Sequence, residues 1–292
     1  MSSTSKRTAP VGLTALVACC LLGAAFLGGC VGSETDNATT APAAVTKLAI
    51  TGSTTVLPLA EQAAEAYMDA HPDADIQVSG GGSSVGVQAV GEGTADIGMA
   101  SRDLKDSERE TYPDLVSDVV ARDGIAVIVH KDNPVASLTL AQIKAIYKGG
   151  ITNWNEVGGG DLAIVVVGRD SSSGTREFFY ESVMGKEEFV ATQLEKNSNG
   201  AVKQTVEQTP GAIGYVGLGY VDAAIGSIAI DTGGVLVEPT VDNVLAGKYP
   251  VARSLLMITQ GEAAGLAKDF IDFLLSAEGQ QIVAEEGFVP VA

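Results

Sequence analysis

Short apolar runs that end in Gly, Ser and Thr, and then pass into helical spacing, recur along this chain. Lys47–Thr51 reads as a strand. Val56–Met68 follows with Leu59, Ala63, Ala66 and Tyr67 on one helical face and Glu61 and Glu65 on the other. Pro58 fits the first turn of that helix, where its missing N–H costs little. Asp75–Ser79 alternates as a strand and leads through Gly80-Gly81-Gly82-Ser83-Ser84 into a short helix over Val85–Gly91. Asp96–Ala100 is an apolar strand that ends at Ser101 and Arg102, and Lys105–Thr111 is a polar surface helix. Val116–Val129 holds two apolar runs separated by Arg122-Asp123-Gly124, and Ile125–Val129 has the pattern of a fully buried strand.

The second half continues the alternation. Leu138–Tyr147 is a helix with Ser137 or Thr139 at its cap and Gly149-Gly150 at its end. The single Trp154 anchors the loop that follows. Ile164–Val167 is a buried strand, and Glu177–Glu181 begins a helix. Lys186–Asn197 reads as a charged helix and Ala201–Gln208 as another. Ala212–Leu218 and Tyr249–Ile258 are strands, and Gly265–Leu275 and Ala277–Glu285 are helices with Phe270, Phe273 and Leu274 on one face. Strands alternating with helices predict an α/β fold.

Between two of these elements lies Arg169-Asp170-Ser171-Ser172-Ser173-Gly174-Thr175-Arg176. A helix start offers unpaired N–H groups and the positive end of a dipole. Hydroxyls and an Arg added there make a cradle for a tetrahedral anion. Taken alone, the octapeptide fits an ordinary serine cap equally well. Gly52-Ser53-Thr54-Thr55, Gly80–Ser84 and Ser101-Arg102 repeat the same chemistry at three other strand ends. Four such junctions are harder to explain as capping than any one of them. None matches a dinucleotide fingerprint or a phosphate loop with its Lys.

Composition narrows the function. The 292 residues carry a formal charge of −18, which leaves no basic stripe for nucleic acid. An anion site here must work through local dipoles and buried cations rather than bulk charge. His71 and His130 are the only histidines, both in structural contexts, so a Ser-His-Asp hydrolase and a His-rich metal site are disfavoured. Cys19, Cys20 and Cys30 all lie in the first thirty residues, leaving no disulfide framework and no Cys metal site in the body. Lys6 and Arg7, the apolar stretch Val11–Leu27 and Leu27-Gly28-Gly29-Cys30 read as a signal peptide over residues 1–29 with a lipobox. The resemblance to a lipobox implies cleavage before Cys30 and lipid attachment to its sulfur, with an uncleaved signal anchor as the alternative; either way the body is extracytoplasmic and tethered at the outer face of the cell membrane. Residues 30–46 are Cys30 followed by a stretch rich in Gly, Ser, Thr, Ala, Asn and Pro with two acids and no periodicity, a flexible tether.

The order and spacing of Gly-Ser-Thr-Thr at 52–55, Gly-Gly-Gly-Ser-Ser at 80–84, Asp-Ile-Gly-Met-Ala-Ser-Arg at 96–102, Ile-Thr-Asn-Trp at 151–154, Arg169 with Ser173-Gly174-Thr175, and Gly-Ala-Ile-Gly-Tyr-Val at 211–216 resemble the phosphate-binding subunit of ABC phosphate importers. The resemblance runs from about Leu48 to the C-terminus. It implies a two-lobed periplasmic-binding-protein type II fold, each lobe a mixed sheet flanked by helices, with the ligand in the interlobe cleft. Lobe I is expected over 47–129 plus 250–292 and lobe II over 130–249, with crossings near His130 and Tyr249.

By the same resemblance Ser53, Thr54, Thr55, Ser83, Ser101, Arg102, Arg169, Ser173, Gly174 and Thr175 would hold inorganic phosphate, with no metal and no cofactor. Arg102 is a departure: the best-known form of the family has an Asp there, which accepts the phosphate proton and rejects sulfate. Asp103 and Asp170 are possible replacement acceptors, although each fits better as the ion-pair partner of its neighbouring Arg, and Arg176 is expected to point outward to Glu177, Tyr180 or solvent. The function implied is a monomeric, non-catalytic receptor that delivers phosphate to the transmembrane subunits of an ABC permease. A receptor for sulfate, molybdate or tungstate is the near alternative. A serine hydrolase using Ser172 or Ser173 is a distant one, because the run has no G-x-S-x-G elbow.

Overall fold

Residues 45–291 are described by a computed structural model; the leader, Cys30 and the tether lie outside the described residues. The first six elements alternate as the pattern predicts: β1 (Thr46–Gly52), α1 (Leu57–Ala70), β2 (Ala74–Gly80), α2 (Ser83–Gly91), β3 (Ile97–Ala100) and α3 (Asp106–Thr111). β1 pairs in parallel with β2 and with β3. α1 buries Leu59, Ala60, Ala63, Ala64 and Tyr67. The C-terminal helices α8 (Gly265–Leu275) and α9 (Ala277–Glu285) add Phe270, Leu274 and Val283 to that core. Each fully buried large apolar side chain there contributes about 1.5–3 kcal/mol.

β4 (Leu115–His130) is one continuous strand of 16 residues, not two runs with a break. Arg122-Asp123-Gly124 stays extended because both flanks are paired. Leu115–Gly124 runs antiparallel to β12 (Ala252–Gln260), and Ile125–Val129 runs antiparallel to β8 (Ala212–Gly217). The change of partner therefore falls at Gly124–Ile125. Packing changes at the same place: Val120 and Ala121 lie in the first core, and Ile125–Val129 in the second. On the return, Val251 packs in the second core and Leu255 in the first, with a register shift between Leu255 and Leu256.

The second lobe is built from β5 (Ser137–Thr139), α4 (Leu140–Tyr147), β6 (Val165–Arg169), α5 (Gly174–Ser182), β7 (Leu194–Lys196), α6 (Asn199–Gln208), β8, β9 (Ile225–Ser227), β10 (Ala229–Asp231), β11 (Leu236–Val237) and α7 (Val241–Leu245). β6 pairs in parallel with β7 and β8, and β9 pairs with β4. The main sheet thus runs β2-β1-β3-β12-β4-β8-β6-β7 through both lobes, and β11-β10-β5 forms a separate small sheet. Trp154 is buried and donates its Nε1–H to Gly211 O at 3.0 Å, which ties down its loop.

The charged helix expected over Lys186–Asn197 does not form. Gly185 and Lys186 both adopt left-handed φ, 60° and 64°, which stops a right-handed helix from starting there. Phe189 packs against the rings of Tyr147, Phe179 and Tyr180, and Val190 N–H bonds to Tyr147 O, so the chain is drawn onto the core before forming β7. Tertiary packing overrides the local propensity of Glu and Lys here. Among the described residues no helix is long and apolar enough to cross a membrane.

Candidate anion site

The four Ser/Thr/Gly junctions come together where the lobes meet. β1 ends at Gly52, whose φ of 135° and closeness to Met99 O, 2.4 Å from where a Cβ would sit, exclude a side chain. Ser53-Thr54-Thr55 then leads into α1, with Ser53 Oγ accepting from Thr55 N at 3.2 Å. Gly82, at φ 102°, brings the start of α2 against Ser172 of the opposite lobe. Ser84 N donates to Ser172 O at 3.1 Å, and Ser172 Oγ to Gly81 O at 3.0 Å. A Cβ on Gly174 would fall 2.2 Å from Ser83 Oγ and 3.0 Å from Ser101 Oγ, so α5 begins directly opposite α2.

Ser53, Thr54, Thr55, Ser83, Ser101, Ser173 and Thr175 are all buried. Thr55 Oγ1 and Thr175 Oγ1 are 3.0 Å apart across the lobes. On the other side Ser83 Oγ accepts from Ser101 N at 3.1 Å and lies 3.4 Å from Ser101 Oγ. Ser173 Oγ caps α5 by accepting from Arg176 N at 3.2 Å. Among the described residues the backbone N–H groups of Thr54, Ser83, Gly174 and Thr175 donate to no protein acceptor. Free N–H groups at three helix starts, beside hydroxyls and cations, suit a small oxyanion.

The cations differ in their commitments. Arg169, 1% exposed, spends its Nε on Lys196 O and Nη2 on Asn197 O, both at 3.2 Å. Burial pushes its guanidinium down from its ordinary value, while Tyr215 and Asp170 hold it up. Neutral carbonyls leave its charge uncompensated. Arg102, 4% exposed, instead clasps Glu108 with both forks, Nη1–Oε2 2.8 Å and Nη2–Oε1 2.6 Å. It also donates to Asp103 O and Ser84 Oγ. Asp103 offers Arg102 its carbonyl rather than its carboxylate, and Asp170 Oδ1 accepts from Ser172 N and Oγ rather than from Arg169. Neither is the ion-pair partner of its neighbour. Arg176 does not extend into solvent but lies over the Phe189 ring, 5.0 Å from its centroid.

Several contributors were hidden in the sequence. Arg253, buried in β12, donates through Nε and Nη2 to Asp123 Oδ2 at 3.0 and 2.7 Å, through Nη1 to Ser101 O at 3.1 Å, and through Nη2 to Thr55 Oγ1 at 3.2 Å. Burial pushes the Asp123 carboxyl up and the Arg253 guanidinium down, and their mutual hydrogen bonds oppose both shifts. Asn199, also buried, opens α6 and bonds both Thr54 and Thr55. Tyr220 donates its hydroxyl to Thr54 O at 2.5 Å. The signals were an Arg heading an apolar strand, an acid between two apolar runs, and Ser198-Asn199-Gly200 before a helix, a fifth junction of the same kind. Ser172 has no histidine near it: His71 stacks on Tyr67, and His130 stands by Asp132.

This geometry has close relatives. A family model described as a PBP superfamily domain matches residues 37–278. The phosphate-binding protein PstS of Bacillus subtilis is 38% identical over 261 residues, covering 89% of this chain and 85% of its own. This chain belongs to the phosphate-binding protein family of the PBP superfamily. Pseudomonas aeruginosa PstS is 34% identical over 269 residues, covering 84% and 83%. Among solved structures, the family is represented by a phosphate ABC transporter substrate-binding protein with bound phosphate from Clostridium perfringens, at TM-score 0.80 and 44% identity, covering 85% of this chain and all of that one. An ABC-type phosphate transport receptor from Vibrio cholerae aligns at TM-score 0.68 and 36% identity, covering 84% of this chain and 100% of that one. The two-lobed fold is the family's.

Proposed function

We propose that this protein is an extracytoplasmic, non-catalytic receptor that binds inorganic phosphate between its lobes and hands it to the membrane subunits of an ABC importer. The observation that carries the reading is the convergence of free N–H groups at three helix starts with buried hydroxyls and the unpaired charge of Arg169. Such a constellation binds an oxyanion by charge-assisted hydrogen bonds in a site closed to water. The names of the relatives, and the bound phosphate in the Clostridium perfringens structure, support phosphate as that oxyanion.

In this reading Thr54, Ser83, Gly174 and Thr175 contribute N–H groups. Ser53, Thr55, Ser101 and Ser173 contribute or organise hydroxyls, Arg169 supplies the charge, and Arg102 acts from the rim through Ser84. The lobes divide near Gly124 and Val251, where sheet pairing and core membership change. A lipid on Cys30 holds the monomer at the membrane through the 30–46 tether. Ser172 Oγ is held by Asp170 Oδ1 and Gly81 O with no histidine beside it, which favours binding over a Ser-His-Asp hydrolysis. Calorimetric titration of the purified protein with phosphate and with sulfate is the test: one phosphate per chain at micromolar or tighter affinity is expected. No heat with phosphate up to millimolar concentration refutes the reading. Cys30→Ala should release the protein from the membrane fraction, and continued membrane retention refutes the anchor.

A further inference from the structure

Two buried groups behind the ring of hydroxyls contribute only donors to it. Asn199 is fully buried, and its Oδ1 accepts from Gly217 N at 3.3 Å. Only an oxygen satisfies that N–H, so the amide cannot be flipped and Nδ2 must face the threonines. It donates to Thr54 Oγ1 at 3.1 Å and Thr55 Oγ1 at 3.0 Å. Asn199 N points at Thr54 Oγ1 as well, at 3.4 Å. Thr55 Oγ1 takes a second donor, Arg253 Nη2, at 3.2 Å.

A hydroxyl oxygen has two lone pairs and one hydrogen. Both lone pairs of Thr55 Oγ1 are filled by N–H groups, so its hydrogen can go only to Thr175 Oγ1, 3.0 Å away, or to a ligand. Thr175, having accepted, turns its own hydrogen onward. Thr54 is constrained in the same way by Asn199 alone. On this flank of the site the hydroxyls act as donors. The opposite flank, Ser83 and Ser101, keeps lone pairs available, since Ser83 Oγ accepts only from Ser101 N and the two oxygens share one 3.4 Å contact.

We infer that Asn199 and Arg253 are positioning residues that hold Thr54, Thr55 and Thr175 as donors and so make the site select the doubly charged form of phosphate over the singly charged one. The inference rests on reading the cleft as a phosphate site. The dianion carries one P–OH, which finds an acceptor at Ser83 and Ser101. The monoanion carries two, and the second points its hydrogen at a hydroxyl hydrogen or an N–H. That contact is repulsive and leaves a buried donor unpaired. The other charged or titratable groups facing the ring are Arg169 from β6, Asp170 at Ser172, the Arg102–Glu108 pair after β3, the Arg253–Asp123 pair from β12 and β4, Tyr215 from β8 and Tyr220 from the turn after it. Burial raises both tyrosines, Tyr220 to about 12, which keeps them neutral donors across the physiological range. Any titration of Asp123 is common to the wild type and an Asn199 variant and cancels in their comparison.

The test measures phosphate affinity of the full chain by calorimetry on both sides of phosphate's second ionisation, for wild type, Asn199→Ala and Asn199→Asp. Wild-type affinity for total phosphate should fall on acidification in step with loss of the dianion. Asn199→Ala should weaken binding about tenfold at alkaline pH and much less at acid pH, because freed hydroxyls can turn to accept. Asn199→Asp keeps the shape and the Gly217 bond but draws the threonine hydrogens inward, and should cost about a hundredfold or more at neutral pH. A merely structural role would lower affinity equally at every pH. An Asn199→Ala profile parallel to the wild type, or wild-type affinity in Asn199→Asp, overturns the inference while leaving phosphate binding standing; a wild type that binds no phosphate overturns both. If Asn199→Ala melts too low to titrate, Thr55→Val must flatten the pH profile in the same sense, and a wild-type slope in that variant overturns the inference.

Discussion

Arg102 and Arg169 close corresponding strands of the two lobes, one just after β3 and the other at the end of β6, and both are almost fully buried. They nevertheless end in different electrical states. Arg102 is neutralised by a bidentate carboxylate, Glu108, offered by the helix that follows its own loop. Arg169 meets only the carbonyls of Lys196 and Asn197. Arg253 sits on Arg102's side of the comparison, its charge matched by Asp123. Residue type and burial are the same in all three. What decides whether a buried arginine is available to an anion is whether the fold has already supplied a carboxylate.

Substitutions that change this pairing should separate the three. Arg253→Met leaves Asp123 buried without its partner, and should destabilise the fold by about 3–5 kcal/mol in denaturant unfolding. A midpoint within error of wild type would show the pair to be dispensable. Arg169→Ala should leave the fold largely intact but lower phosphate affinity by about 3 kcal/mol, because the charge it removes has no carboxylate ion-pair partner among the described residues. Tyr220→Phe removes the interlobe bond to Thr54 O and should weaken binding by about 1 kcal/mol. Burial lifts the Tyr220 hydroxyl to about 12 from its ordinary value of 10.0. Its folded pKa is thus raised, so its stabilising contribution is complete below the unfolded value and is lost as pH rises through the folded one. Wild type should therefore lose folding stability as pH rises from 10 towards 12, in a step of denaturant unfolding that Tyr220→Phe lacks. Arg102→Met combined with Glu108→Leu, which removes the pair as a neutral unit, should change affinity by less than about 1 kcal/mol. A loss as large as that of Arg169→Ala would return Arg102 to the ligand shell and erase the contrast.

The parts of the site that were legible in the sequence are those written locally. Ser53–Thr55, Ser83 and Ser173–Thr175 each follow a strand and begin a helix within a few residues, so pattern alone brought them forward. Asn199 and Arg253 act on Thr55 from 144 and 198 residues away, and nothing near either announces that contact. Arg102 was visible, but its neutralisation depends on which helix face Glu108 occupies. The fold was legible wherever an element is held by its own periodicity, as in α8 and α9. It was misread over Lys186–Asn197, where ring packing by Phe189 outweighs charge-rich helical composition, and at Arg122–Gly124, where pairing on both flanks carries a polar triplet straight through the sheet.

β4 has a mechanical consequence. A chain that passed between lobes only through loops could swing freely. Here β4, laddered to β12 on one side of Gly124 and to β8 on the other, passes through as an unbroken ribbon. Any rotation of one lobe against the other must flex that ribbon as a leaf spring flexes, with a restoring force that grows with angle. The angular travel is set by how far a laddered strand bends before its bonds part, and recoil of the spring, rather than a pull from outside, is available to reopen the cleft.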